Sequence, residues 1–349
     1  MHDKKINIAL CSFGMSGRVF HAPFINQHSG FHLQGVLERT KNLAQEKYPE
    51  TKNYRTLDKL LSDAEVELVV VNTPSVTHYE YTKRCLEAGK HVIVEKPFTA
   101  TSEEAAQLIE FAKKKKLKLS VYQNRRYDSD YRTVKKILDE GWIGDLIDVE
   151  IRYDRYAPTL SYKQHKETST PAVGCLYDLG SHLIDQALQL FGLPESVYAD
   201  IRINRPGSEV DDYFNLLLFY PTHPVTLRSS YFVREPVPGY ALHGRLGSFI
   251  KTKTDVQELA LIAEKIPGAE GWGIESKEKD GLLHTQKNGE LIHKQIPSLK
   301  GNYGDYYEAI YQALRNNASL PVTGEEGMNV IRVIEAAFLS NKEKRQIAL

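Results

Sequence analysis

The sequence predicts an α/β protein with a doubly wound parallel sheet in its first third, followed by a second, α+β domain built on antiparallel strands. Two observations predict it. From Ile6 to about Tyr122, short apolar and β-branched runs alternate with helix-like segments, the pattern of βαβ units whose parallel strands are covered on both faces. After Tyr122 the apolar residues recur at every second position, as in Ile147, Val149, Ile151 and Tyr153, which marks strands with one buried face. A chain of 349 residues suits two domains, which we place at 1–123 and 124–349. No linker rich in Gly, Pro or Ser separates them, so the expected junction, near Asn124–Asp128, is tight.

In the first domain Ile6–Cys11, Phe31–Leu37, Val66–Asn72, His91–Val94 and Lys118–Tyr122 read as strands, each short and ended by turn residues or a motif. Thr101-Ser102-Glu103-Glu104 has the spacing of a capping box and opens a helix through Ala105, Leu108, Ile109 and Ala112. Gly89 stands where the preceding helix should end. In the second domain Phe214–Tyr220 and Val225–Tyr231 read as strands, and Lys135–Glu140 as helix before Gly141. Thr323-Gly324-Glu325-Glu326 resembles a second capping box, leading a helix with Ile331, Ile334 and Phe338 on one face and Lys342, Lys344 and Arg345 near its end. The run Lys113–Lys116 falls at a helix C-terminus, where cations oppose the macrodipole.

Composition narrows the function. Forty-five basic side chains balance 45 acidic ones, so no net field draws the chain to nucleic acid or to an anionic membrane, and the expected partner is a small molecule. The three cysteines, Cys11, Cys85 and Cys175, are odd in number and widely spaced; this fits reduced thiols and a cytoplasmic protein. The run Ile6–Cys11 is too short for the core of a signal peptide, and nothing later approaches a membrane span. No Gly-x-Ser-x-Gly elbow occurs, which speaks against acyl-enzyme chemistry.

Directly after the first strand, Ser12-Phe13-Gly14-Met15-Ser16-Gly17 matches a dinucleotide fingerprint with Ser12 in place of the first glycine. Gly14 would let a pyrophosphate approach the backbone, and Gly17 would let the new helix pack on the strand with its N–H groups facing the phosphates. Glu38 ends the second strand roughly 20 residues on, where an acidic side chain takes ribose hydroxyls; its neighbour Arg39 suits a 2′-phosphate or the adenine. NAD or NADP is therefore the expected cofactor, with NAD slightly favoured by Glu38. Asn72-Thr73-Pro74, with His78 following, and Glu95-Lys96-Pro97 lie at C-terminal ends of parallel strands, where open α/β sheets bind ligands. Asp178, His182 and Asp185 recur at helical spacing further on. Such a stripe can ligate a metal, but no further Cys or His cluster completes a site, so none is expected. Cys175 reads as a small buried residue.

Taken together, Gly14 and Gly17, Glu95-Lys96-Pro97, Tyr122-Gln123-Asn124-Arg125-Arg126 and Leu176-Tyr177-Asp178-Leu179-Gly180-Ser181-His182 resemble the glucose–fructose oxidoreductase/inositol dehydrogenase (Gfo/Idh/MocA) family. Thr73-Pro74-Ser75 and Leu320-Pro321-Val322-Thr323 extend the likeness towards its bacterial NADP-dependent scyllo-inositol dehydrogenases, which differ in carrying Ser-Arg where this chain has Glu38-Arg39. The resemblance implies an N-terminal Rossmann domain, a C-terminal open-faced antiparallel sheet used for subunit contact in a dimer or tetramer, and a substrate cleft between the domains. It places Lys96, Asp178 and His182 at the catalytic positions of an enzyme that moves a hydride between nicotinamide and a secondary hydroxyl of a polyol or sugar. His182 is then the general acid/base, with Lys96 the alternative base; Lys96 orients the hydroxyl, stabilises developing alkoxide and can share the proton, and Asp178 orients the substrate or the other two. Asn124, Arg125, Tyr153, Arg155 and Tyr156 are the expected substrate-binding donors, although the parity of Tyr153 with Ile151 also suits a core position. The competing readings are a catalytically silent sugar-sensing regulator and a nicotinamide-dependent glycosidase.

Overall fold

The computed structural model describes residues 5–162 and 166–349, which group into two compact units. The first comprises Met1–Asn124, Gln257–Trp272 and Asn302–Met328; the second comprises Arg125–Val256, Gly273–Gly301 and Asn329–Leu349.

A six-stranded sheet forms the first unit, from β1 (Ile6–Leu10), β2 (Phe31–Leu37), β3 (Lys52–Tyr54), β4 (Leu68–Val71), β5 (His91–Glu95) and β6 (Leu119–Tyr122). Every pairing is parallel and the order is β3-β2-β1-β4-β5-β6. The order reverses between β1 and β4, the switch point beside which open α/β sheets bind ligands. Between the strands run α1 (Ala22–Gln27), α2 (Leu43–Lys47), α3 (Leu57–Leu61), α4 (His78–Glu87) and α5 (Ser102–Lys115). The Thr101 capping box forms at the start of α5 with both reciprocal hydrogen bonds, and its buried stripe is Ala105, Leu108, Ile109 and Ala112. Gly89 has φ +75°, as a residue stopping α4 requires. β3, a polar edge strand of three residues, was not expected, because it is too short to show a period.

The second unit opens with α6 (Ser129–Asp139) and β7 (Leu146–Arg152), continues through α7 (Ser181–Phe191), and builds a nine-stranded sheet with β8 (Ser196–Arg202), β9 (Tyr213–Phe219), β10 (Pro224–Ser230), β11 (Tyr240–Gly244), β12 (Gly247–Lys251), β13 (Gly281–Lys287), β14 (Glu290–Ile296) and β15 (Ile347–Ala348). Its order is β14-β13-β12-β11-β7-β10-β9-β8-β15. Val149, Ile151, Leu216, Leu218, Val225 and Leu227 line one buried face, as their alternation requires. All pairings are antiparallel except β7 with β10, which run parallel.

Later segments return to the first unit: most of α8 (Val256–Ile262), α9 (Gly304–Arg315) and the start of α10 (Gly324–Glu343). The reason is aromatic packing. Tyr303, Tyr306 and Tyr307 are fully buried; Tyr307 stacks on Phe24 at 6.1 Å, and the Tyr306 hydroxyl lies 2.8 Å from Ser120 Oγ. The Thr323–Glu326 capping box then starts α10.

Candidate active site

In the first unit the turn after β1 is clamped by Asn72. Its side chain accepts from the Ser12 amide at 2.9 Å and donates to the Ser12 carbonyl at 2.9 Å, while the Ser12 hydroxyl donates to the Asn72 carbonyl. Asn72 is 5% exposed and shapes the turn through these bonds. A Cβ at Gly17 would meet the Ser12 carbonyl oxygen at 2.4 Å, so only glycine allows this strand-to-helix contact. At Gly14 the same Cβ would meet nothing nearer than Ser12 Oγ at 3.8 Å. That open side, with Gly14, Met15 and Ser16 around it, is a backbone cradle of the shape a pyrophosphate needs. Gly17–His21 then forms a single π-helical turn before α1.

Beside Gly14 lies a cavity of about 440 Å³ lined in part by Phe13, Arg18, Arg39, Thr40 and Lys41. Glu38 lines this cavity too, and its carboxylate is engaged within the chain. It accepts from the Leu43 and Ala44 amides at 3.1 and 3.0 Å and so caps α2. Arg55 fastens the same loop by donating to the carbonyls of Glu38 and Lys41. Three cations, Arg18, Arg39 and Lys41, line the same cavity. Arg18 and Lys41 were missed in the sequence, although Arg18 directly follows Gly17.

Thr73 and Pro74 lie at the end of β4, and His78 follows on α4. The His78 ring is fully buried, with Nδ1 2.7 Å from the Pro97 carbonyl and Nε2 3.0 Å from that of Thr73. Burial depresses its pKa against the pull of those carbonyls. His78 thus bridges the Thr73 and Pro97 loops through these two carbonyls. The Lys96–Pro97 bond is cis. Glu95 Oε1 accepts from Ser16 Oγ and, at 2.8 Å, from His21 Nε2; Oε2 accepts from the Lys96 amide at 3.2 Å. Burial alone would raise the Glu95 carboxyl, but the His21 and Ser16 hydrogen bonds and the Lys96 cation hold it below the usual carboxylate range.

Asp178 and His182 belong to the second unit. Leu176–Gly180 is a π-helical turn that runs into α7, and the π turn carries Asp178 while the first turn of α7 carries His182, 5% exposed. The Asp211 carboxylate accepts from the Leu176 amide at 2.6 Å and fixes the entry; burial pushes its pKa up to about 6. The expected stripe divides here. Arg126 donates to both oxygens of Asp185 at 2.8 and 2.6 Å, which leaves Asp185 as a structural partner and not a metal ligand. Burial disfavours the Arg155 cation, but Asp178 and Tyr153 raise its pKa above the usual value. Arg125 is buried and paired with Asp128 and Asp255, so its guanidinium is already engaged. The Tyr153 ring is flanked by Arg125, Arg155 and Lys253 at 5.3, 5.5 and 5.2 Å, a polar setting and not the apolar core its parity suggested. Asn124 is buried in the first unit, and Tyr156 is exposed beneath Arg234. Burial raises the pKa of the Cys175 thiol well above the usual value, so it is inert.

Fold and turn geometry together define the first unit as a Rossmann domain for NAD or NADP. The comparisons agree: residues 6–123 match an oxidoreductase-family NAD-binding Rossmann fold, and residues 135–349 match an oxidoreductase-family C-terminal alpha/beta domain. The chain belongs to the Gfo/Idh/MocA oxidoreductase family. It is 41% identical to the scyllo-inositol 2-dehydrogenase (NADP(+)) IolW of Bacillus subtilis, over 99% of this chain and 96% of that one. To the inositol 2-dehydrogenase of Rhizobium meliloti it is 26% identical, over 84% of each. The solved structure of YvaA from Bacillus subtilis superposes with a TM-score of 0.97 at 40% identity, covering 100% of this chain and 99% of that one. A Bacteroides fragilis oxidoreductase structure gives 0.91 at 46%, covering 99% and 100%. Among the described residues, no helix is long and apolar enough to cross a membrane.

Proposed function

We propose that this chain is an NADP(H)-preferring dehydrogenase or reductase acting on a secondary hydroxyl of a cyclic polyol, scyllo-inositol being the first candidate. The observation that carries the reading is the presence of Lys96, Asp178 and His182 together with a dinucleotide turn whose Gly14 side is open. The similarity to a scyllo-inositol 2-dehydrogenase supports the polyol. Arg18, Arg39 and Lys41 around a cavity where the Glu38 carboxylate is engaged by the Leu43 and Ala44 amides support the 2′-phosphate.

When bound, the nicotinamide accepts or donates the hydride. Gly14, Met15 and Ser16 would hold the pyrophosphate on backbone amides, and Thr73 and Pro74 would flank the cofactor at the end of β4. In oxidation His182 accepts the hydroxyl proton, a role suited to an imidazole near neutral pH. Lys96 orients the hydroxyl and favours the charge that develops on its oxygen. Asp178 orients the substrate, with the Arg155 cation beside it. We further propose a cytoplasmic homo-oligomer, a dimer or tetramer, with the nine-stranded sheet as the subunit contact.

A panel of inositols and aldoses with NAD and NADP, followed by nicotinamide absorbance, tests this. Net NADP reduction by an inositol, at least ~10-fold more efficient than with NAD, is expected for one removed charge repulsion. Cofactor binding without turnover would indicate a sensing regulator. Cleavage of glycosides without net cofactor reduction would indicate a glycosidase.

A further inference from the structure

We propose that His21 is a positioning residue for Lys96, acting through Glu95, and that the Glu95 carboxylate thereby ties the cofactor turn to the catalytic lysine. The proposal rests on the reading of Lys96 as a reacting group. Three donors from three places converge on this carboxylate: the Ser16 hydroxyl from the fingerprint turn, His21 Nε2 at 2.8 Å from the π turn, and the Lys96 amide at 3.2 Å. A carboxylate only accepts, so Nε2 carries the hydrogen. His21 is fully buried, and its Nδ1 lies 2.6 Å from the Tyr307 hydroxyl, which fixes the ring from behind.

The π turn explains why a histidine at position 21 reaches β5. Five residues in one turn rotate the side chain away from the register of an ordinary helix, and such turns are frequent at functional sites. Without His21 the buried carboxylate keeps its charge with one strong donor fewer, and it relieves that cost by taking a proton or by swinging away. Either response weakens or breaks the hydrogen bond from the Lys96 amide, and a misplacement of about 1 Å at a reacting group costs on the order of 100-fold in rate. The titratable groups facing Glu95 are His21 from the π turn, Lys96 beside it, His78 from α4 and Tyr307 from α9.

His21→Leu removes the donor, and His21→Gln restores an N–H in its place; Tyr307→Phe perturbs the same ring while leaving the Glu95 side intact. Amide hydrogen exchange, which needs no substrate, is expected to speed up ~10-fold or more at Lys96 in His21→Leu, while Val92–Val94 of β5 stay protected. His21→Gln should recover most of that protection, and Tyr307→Phe should leave Lys96 as in wild type. In turnover, His21→Leu should lower kcat ~10-fold or more and add an acid limb to the pH profile as Glu95 begins to titrate; Glu95→Gln should lower kcat without that limb. Unchanged exchange at Lys96 in His21→Leu overturns the proposal, as does loss of protection along the whole of β5. Should His21→Leu not fold, wild-type exchange at Lys96 in Glu95→Gln overturns it. Near-normal turnover in Lys96→Ala would instead overturn the role of Lys96 and leave the exchange result standing.

Discussion

At the end of β2 the Glu38 carboxylate could serve a ribose or the amides that open α2, and both of its oxygens go to Leu43 and Ala44. Replacing it with Ser removes a cap that spans from β2 to α2 and loosens the basic loop carrying Arg39 and Lys41. A lost cap costs about 1 kcal/mol. Glu38→Ser is therefore expected to lower the NADP:NAD ratio of kcat/KM about threefold to tenfold, the opposite of what removing a repulsion would do; a tenfold rise would show that the carboxylate faces the ribose. Arg39→Ala should raise the KM for NADP about tenfold and leave that for NAD nearly unchanged. The placement of Glu38 was legible from its spacing, but its partner was not. Which donors a carboxylate serves depends on where α2 begins, and Leu43–Lys47 is too short to announce its start. Gly17 was legible in full, since a Cβ there meets the Ser12 carbonyl at 2.4 Å. Gly17→Val should accordingly abolish NADPH binding as read by fluorescence titration.

The turn Leu176–Gly180 carries the consequence at the level of elements. A helix through Asp178 and His182 was legible from the apolar spacing of Leu179 and Leu183. A π turn has no period of its own in five residues, so its register was not, nor was the diversion of Asp185 to Arg126. Asp211, far away in sequence, holds the turn by accepting from Leu176, and its pKa is raised to about 6 by burial, against the amide hydrogen bonds. The ordinary value is about 3.9 in the unfolded chain, so the folded state prefers this carboxyl protonated. Its contribution to stability is fully present below about pH 4 and is lost as pH rises through about 6, a change on the order of 3 kcal/mol. Asp211→Asn cannot titrate. The stability of wild type minus that of the variant, from urea unfolding at pH 4.5 and 7, should therefore be larger at the lower pH; a gap that widens towards pH 7 would contradict the raised value.

For the whole molecule, the first crossing of the chain at residue 124 was legible because the hydrophobic period changes from buried parallel strands to alternation at that point. The two returns were not. Tyr303, Tyr306 and Tyr307 fall on one side of the start of α9, and the spacing of such a stripe does not say which sheet it covers. It covers the first unit: Tyr122 meets Tyr306 edge-on at 4.9 Å, Phe24 stacks on Tyr307, and Ser120 hydrogen-bonds both the Tyr306 hydroxyl and the Val322 carbonyl. A fragment ending at residue 124 would expose Tyr122, Phe24 and Phe31 to water, and burying one such ring contributes about 1.5–3 kcal/mol. Several rings lost together amount to the whole stability of a domain of this size, about 5–15 kcal/mol. Residues 1–124 expressed alone should therefore show no cooperative melting and no NADPH binding, although they contain the complete fingerprint. In the full chain Tyr306→Ala should cost about 3–5 kcal/mol, seen as a lowered Tm with the NADPH affinity of the folded protein retained. If the 1–124 fragment melts cooperatively and binds NADPH as tightly as the full chain, the returning segments are ornaments on a self-sufficient domain and the linear division is the right one.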